Sequence, residues 1–397
     1  MNSHILTNAR IITSTEDFIG TVKVEEGIIV DVVKGKTYAE GEDLHGLWLS
    51  PGCIDIHSDY LEREIHPRPS AKFPLPMAFH FMDQRAAACG LTTVFSAISL
   101  TENESRDRTF KSAVQQAQAI DELNVNSLVN HYLHARLDPN TEASVQYIDD
   151  MLAIPSLKMV VYNEGIPGQR QFKLEDIIVK RAKMMAISEE ESRRMVFEEI
   201  EKLKNVNKRP EFYAAFKDFV PLGSHDDTTE AHIMEALQYG STLAEMPTTM
   251  EAAIKAKEVG MSVCMGAPNY VRGGSHCGNL SCHEAMEKNL VDMLCSDYHF
   301  PTMLTAVLMM MKNGKKPSEA INYVSLNPAR YLKTDKETGS IEVGKKADLI
   351  CFESQENFAK IFKVWVDGRT KYSTERPFNK SDATRNVASY EEASANL

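Results

Sequence analysis

Imidazoles and carboxylates recur at the ends of short apolar runs through the middle of this chain. Pro51-Gly-Cys-Ile-Asp-Ile-His57-Ser-Asp59 sets His57 and Asp59 two apart, on one face of an extended segment. His131 and His134 lie in a third such run. Glu164 follows Val160-Val-Tyr-Asn163, His225 follows Gly223-Ser224, Glu245 follows Leu243-Ala244, and Asp297 follows Leu294-Cys-Ser296. Gathered as bare charges, these acids would repel one another and lose their hydration. Divalent cations resolve that conflict. Histidines with several carboxylates suit zinc first, with manganese and iron as the harder alternatives. Two such ions per chain, sharing a water, would supply a nucleophile at neutral pH. Each residue alone has an ordinary reading as a hydrogen-bonding group at a strand end; their convergence predicts metal-assisted hydrolysis.

Convergence requires a scaffold. β-like runs near 51–58, 91–98, 127–135, 157–163, 218–224, 241–245, 261–266 and 292–296 alternate with helix-compatible stretches such as Arg106–Leu123, Thr228–Leu237, Met250–Val259 and Pro301–Lys312. Eight strand–helix repeats predict a distorted parallel (β/α)8 barrel over 51–338, whose catalytic groups sit at the C-terminal ends of its strands. The interval 171–217 is too long for one repeat. Its charge runs, Glu189–Arg194 and Glu198–Lys204, predict an added helical pair: a solvated face, a lid or an oligomer contact. Both chain ends read as strands. Thr21–Val24 and Ile28–Val33 flank a Glu25-Glu26-Gly27 turn, and Ala347–Phe352 and Ile361–Val366 precede Asp367-Gly368. The segments 1–50 and 339–375 are expected to join in one small β-sandwich-like domain, with 376–397 a polar tail.

Composition bounds the function. The 397 residues are 43% hydrophobic and 25% charged, an ordinary globular balance. The net charge of −12 opposes nucleic acid as a partner. It does not oppose a small anionic substrate, because local charge can differ in sign from the total. No run reaches the roughly 18 apolar residues of a membrane span, and the N-terminus does not read as a signal peptide. Seven cysteines without a CxxC pair read as reduced thiols of a cytoplasmic protein.

Three segments in combination resemble the amidohydrolase superfamily: Pro51–Asp59, Asn327-Pro-Ala329, and Gly339-Ser-Ile-Glu-Val-Gly344-Lys-Lys-Ala-Asp-Leu349. Three positions depart from its usual pattern. Asp59 stands where a second histidine is usual, Glu164 where a carboxylated lysine often bridges the metals, and Glu245 where a histidine often ends the sixth strand. With Pro67-Arg-Pro69, Pro167–Phe172, Ser224–Asp227, Glu245–Thr249 and Met265–His276, the chain looks like the phosphonate-metabolism branch. That resemblance implies a hydrolase of phosphoric anhydride bonds in the carbon–phosphorus lyase pathway. Its substrate would be α-D-ribose 1-methylphosphonate 5-triphosphate, cleaved to the 5-phosphate and diphosphate. It implies that His57, Asp59, His225 and Asp297 hold the metals, that Glu164 bridges or flanks them, and that Asp297 is the general base. Glu245 and His134 are further candidates as ligands or supports.

Arg68, Arg170 and Arg272 each lie in a Gly- or Pro-bearing loop just after a predicted strand, with Lys72 near the first. Guanidinium groups suit phosphate oxygens. Gly273-Gly274 would let backbone N–H groups approach an anion, and His276 would add a donor. Two other functions are weighed. A hydrolase of a cyclic amide, or a base deaminase, predicts dihydropyrimidine-like substrates and little use for these arginines. A non-catalytic scaffold predicts no bound metal.

Overall fold

The computed structural model of the chain describes residues 3–68, 71–102, 108–275 and 277–374. His276 and the tail 376–397 therefore lie outside the described residues. Sixteen strands there form two eight-stranded sheets. The chain opens with β1 (Ser3–Ile12), β2 (Asp17–Glu25), β3 (Ile28–Lys34), β4 (Glu42–Asp43) and β5 (Trp48–Pro51). The middle supplies β6 (Cys53–Ser58), β7 (Leu91–Leu100), β8 (Asn130–Leu137), β9 (Leu157–Tyr162), β10 (Leu222–His225), β11 (Ser241–Glu245), β12 (Ser262–Gly266) and β13 (Met293–Cys295). The end adds β14 (Leu349–Ser354), β15 (Ala359–Val366) and β16 (Arg369–Ser373).

β6 to β13 pair in chain order, all parallel, as the eight predicted repeats required. The ring is nearly closed. One bridge joins Ser58 to Asp297, the Asp297 amide donates to the His57 carbonyl at 3.0 Å, and the Asp59 amide to the Asp297 carbonyl at 2.7 Å. Closure thus runs through three of the residues singled out for chemistry. Alternation sorts the side chains. Ile54, Ile56, Phe95, Met159, Val161 and Leu243 fill the barrel interior, while Val94, Ile98, Leu133, Ala135, Val160 and Ala244 face the surrounding helices. Thr229 and Thr249 cap the helices after β10 and β11, accepting from the His232 and Ala252 amides.

The second sheet runs β16-β15-β14-β5-β1-β2-β3, with β4 beside β1. The two chain ends meet where β14 pairs antiparallel with β5, Leu349 opposite Pro51 and Phe352 opposite Trp48. The sheet curls back on itself: Ile28 bridges Lys346, and the Ile29 amide donates to Lys345. Its interior is a separate core containing Leu6, Ile11, Ile29, Leu49, Leu349 and Trp365. The two predicted turns meet there. Gly27 has φ +85°, and a Cβ on it would lie 2.6 Å from the Asp367 carbonyl oxygen, so only glycine fits.

The interval 171–217 differs from expectation. It holds three helices, Leu174–Met185, Glu189–Leu203 and Arg209–Phe216. The first two pair around a small core of their own, with Ile178, Val196 and Ile200 buried. The third buries Phe212 and Phe216 in the main core and is the barrel helix that follows β9. The charge density of the first two helices masks an i, i+4 aromatic pair in the third.

Candidate metal centre and active-site cavity

Strand parity decides which predicted residues reach the barrel mouth. On β8, Leu133, Ala135 and Leu137 face the helices, so Tyr132, His134 and Arg136 face inward. His131 has the outward parity; its Nε2 lies 2.9 Å from Asp83 Oδ1, a structural contact. His57 is the penultimate residue of β6, His225 ends β10 and Glu245 ends β11; Asp297 lies just past β13. The residues that turn the chain after β10, β11 and β13 are left-handed without being glycine: Asp226 at φ 57°, Met246 at 54° and Asp297 at 54°. Such backbone costs about 1–3 kcal/mol per residue and gathers at functional sites.

Glu245 is the hub. Its Oε2 lies 2.9 Å from His57 Nδ1, 3.7 Å from His134 Nε2 and 3.8 Å from His225 Nε2. His57 Nε2 lies 3.7 Å from Asp59 Oδ1. Two overlapping sets, His57–His134–Glu245 and His57–Asp59–Asp297, each bring their donor atoms within 4.8 Å of one another. Both nitrogens of His57 and of His225, Nε2 of His134, Oδ1 of Asp59 and both oxygens of Glu245 are buried and make no hydrogen bond among the described residues. Close approach of lone-pair atoms without hydrogen-bond geometry is what ligands aimed at a shared cation require. The donors present therefore fit a divalent metal.

The surroundings set the protonation of these groups, and at His57 a bound cation would take the place of the proton. His134 Nδ1 lies 3.0 Å from the Ile56 carbonyl and so carries the hydrogen, leaving Nε2 as the free donor. Burial lowers its pKa to about 3, keeping the ring neutral. Burial opposes a charged His57, yet the Glu245 and Asp59 carboxylates outweigh it and hold its pKa well above the usual imidazole range. Burial also opposes the charge of Glu245, but His57 and His134 bring its pKa down to about 2. Asp297 goes the other way: burial, and then the Asp59 carboxylate, push it up to about 6. Beneath them Asp55 accepts from the Ser296 amide at 2.9 Å and hydroxyl at 2.5 Å, fastening β6 to the end of β13.

Several predicted residues serve elsewhere. Neither His225 nor Glu164 belongs to a donor set among the described residues, but His225 Nε2 still faces Glu245 at 3.8 Å while Glu164 is turned to arginines. Arg170 Nε lies 2.6 Å from its Oε2 and Arg209 Nη2 lies 3.1 Å from its Oε1. Burial opposes its charge, but the two guanidiniums hold the carboxyl below its ordinary range. Arg170 also pairs with Asp227 at 2.5 Å and donates to the His225 carbonyl at 3.2 Å, so it ties the loop after β9 to the end of β10. Arg68 is exposed, bridges Ala71, and is not part of the cavity wall described below. Arg272 and Gly274 line a narrow recess that shares Asp226, Met246 and Asp297 with that cavity. The Gly273 amide donates to Tyr270 and the Gly274 amide to Asn269, so the pair caps the helix Ala267–Arg272 and its N–H groups are already used.

The donor cluster opens into a cavity of about 490 Å³. Four guanidiniums wall it: Arg108, Arg136, Arg170 and Arg181. Three of these were missed in the sequence. Arg136 lay in plain view, two residues past His134 on the same face of one strand. Arg181 comes from the first helix of the insertion and pairs with Glu199 of the second at 2.6 Å, so the insertion walls the cavity. Arg108 pairs with Glu62 at 2.6 Å through Nε.

A barrel with metal-competent donors at its C-terminal mouth, joined to a sheet from both chain ends, matches the model of the amidohydrolase family over residues 48–373, and the chain belongs to that family. It is 30% identical over 380 residues to the alpha-D-ribose 1-methylphosphonate 5-triphosphate diphosphatase of Escherichia coli (strain K12), across 92% of this chain and 99% of that one. Among solved structures, an N-acetylglucosamine-6-phosphate deacetylase from Pasteurella multocida aligns with a TM-score of 0.62 at 13% identity, over 94% of this chain and 100% of that one. A 5-methylcytosine deaminase from Klebsiella pneumoniae aligns at 0.63 with 12% identity, over 94% and 98%. These two likenesses show the fold alone. No helix among the described residues is long and apolar enough to cross a membrane.

Proposed function

We propose that the protein is a metal-dependent diphosphatase that hydrolyses α-D-ribose 1-methylphosphonate 5-triphosphate in phosphonate catabolism. The observation that carries this reading is the end-to-end similarity to the E. coli enzyme. Four guanidiniums line the cavity beside the donor cluster, a surrounding that suits an anionic phosphate chain better than a neutral cyclic amide.

His57, His134, His225, Glu245, Asp59 and Asp297 would hold the divalent metal, with zinc our first choice. When bound, the metal would activate water and offset charge on the phosphoryl oxygens. Asp297 lines the cavity beside the other donors, and it takes the proton of the attacking water. Water adds to the phosphorus next to the ribose 5-oxygen. The bond from that phosphorus to the bridging oxygen breaks, and diphosphate leaves with the electron pair. The arginines of the wall hold the phosphate chain and stabilise the charge that builds on the leaving group. Glu164, through Arg170, keeps the loop after β9 and the end of β10 in register.

The test is incubation of the metal-loaded enzyme with the ribose triphosphate, followed by phosphorus NMR, with nucleoside triphosphates and a dihydropyrimidine in parallel. Release of diphosphate from the ribose triphosphate is expected. No release from fully metallated enzyme would overturn the reading, and turnover of the dihydropyrimidine instead would favour amide hydrolysis.

A further inference from the structure

The innermost of the four wall arginines stands apart. Arg136 projects from β8 two residues beyond His134, and its Nη2 lies 3.1 Å from Asp59 Oδ1, inside the donor cluster. Its side chain is only 8% exposed. A guanidinium carries five N–H donors, yet the Arg136 Nε is buried and makes no hydrogen bond. The residue paired with it in register on β7 is Ser99, which therefore shares its face of the sheet; the Ser99 hydroxyl is also buried and also lacks a hydrogen bond. A buried, unpaired guanidinium donor at the mouth of a barrel is costly unless an acceptor arrives. A phosphoryl oxygen in the cavity would supply one to Arg136. Small neighbours make room: Ala97 stands beside His134 as Ser99 stands beside Arg136.

The other wall arginines are differently placed. Arg108 is held by Glu62, Arg181 by Glu199, and Arg170 by both Glu164 and Asp227. Arg136 alone among the four is in contact with a member of the donor sets, since Asp59 is one of them. A phosphoryl group placed for attack at that cluster would lie against it. We propose that Arg136 binds the phosphoryl oxygens of the reacting group, through the guanidinium N–H groups that Asp59 leaves free. The inference rests on the phosphate-ester reading above, deepens it, and assigns to β8 a substrate contact beside its imidazole.

Inorganic diphosphate, the proposed product, is the probe. Its affinity for metal-loaded wild type, Arg136→Gln and Arg136→Lys is measured by calorimetry, metal content by elemental analysis, and turnover of the ribose triphosphate beside them. Arg136→Gln is expected to keep its metal and weaken diphosphate binding roughly 10- to 100-fold, the range for charge-assisted hydrogen bonds. Arg136→Lys retains a cation beside Asp59 but loses the fork, and is expected to fall between. If Arg136→Gln is insoluble, the lysine variant carries the test. Unchanged diphosphate affinity in a metal-loaded variant would overturn the proposal. So would joint loss of metal and diphosphate, which would reduce Arg136 to a support for Asp59. Wild type that binds diphosphate through Arg136 but leaves the ribose triphosphate intact would sink the functional reading and spare this one.

Discussion

Glu164→Gln separates two roles, metal ligand and structural clamp, at one position. Expected from the family resemblance to bridge or flank the metals, this carboxylate is instead clamped by Arg170 at 2.6 Å and Arg209 at 3.1 Å, with all three side chains between 4 and 8% exposed. Two unit charges about 4 Å apart attract by roughly 4 kcal/mol at an effective dielectric near 20. Breaking a buried pair by removing one partner costs about 3–5 kcal/mol. Here the loss is cushioned. Arg170 keeps Asp227 at 2.5 Å, Arg209 keeps the more exposed Glu235 at 3.5 Å, and glutamine still offers a carbonyl acceptor. We therefore expect the low end, about 3 kcal/mol. At about 2 °C per kcal/mol for a large chain, that is a melting temperature lower by roughly 6 °C. Thermal denaturation and elemental analysis are run on the same preparation. Lower stability with unchanged metal content is the expected result. Loss of metal with unchanged stability would show that Glu164 is a ligand and would refute the argument from its partners.

Other outcomes follow from the same geometry. Glu245→Gln removes a unit charge from the centre of three imidazoles, and metal affinity should fall by about a thousandfold or more, from roughly 4 kcal/mol at that range; competition with a graded series of chelators measures it, and wild-type affinity would deny Glu245 its central place. Asp297→Asn should lower turnover about 10²- to 10⁴-fold, the usual worth of a general base, while circular dichroism stays native; near-normal rates would remove its assigned role. Phe212→Ala should destabilise the protein by about 3–5 kcal/mol, as a large-to-small change in a shared core, whereas Val196→Ala in the satellite core of the insertion should leave the main unfolding transition in place. Equal losses in denaturant titration would mean that the insertion and the barrel share one core.

The legible part of the fold was its periodicity. All eight barrel strands overlap the apolar runs that announced them, because a buried parallel strand writes a continuous β-branched and aliphatic run into the sequence. The third helix of the interval 171–217 was hidden because Phe212 and Phe216 are only two residues in a charged neighbourhood. For the site, residue type and position at a strand end selected His57, Asp59, His225, Glu245 and Asp297. Rank was less legible: Glu245, a secondary candidate by sequence, is the hub, while His225 and Glu164 sit outside both donor sets and only His225 approaches Glu245. Arg68, Arg170 and Arg272 were chosen for loop context, but loop context does not reveal prior partners. Arg170 is already shared by two carboxylates, and Gly273-Gly274 spends its N–H groups on a helix end.

The sequence by itself determined the barrel, the joining of the two chain ends, and the roster of imidazoles and acids at the strand ends, because those depend on local alternation and residue type. Only the tertiary structure decided who partners whom. Asp55 holds Ser296 across 241 residues of chain, and Glu245 meets three imidazoles from three other strands. Coulomb and hydrogen-bond energies depend on distances of a few ångströms. Closing the barrel sets those distances, and no local pattern in the chain encodes them.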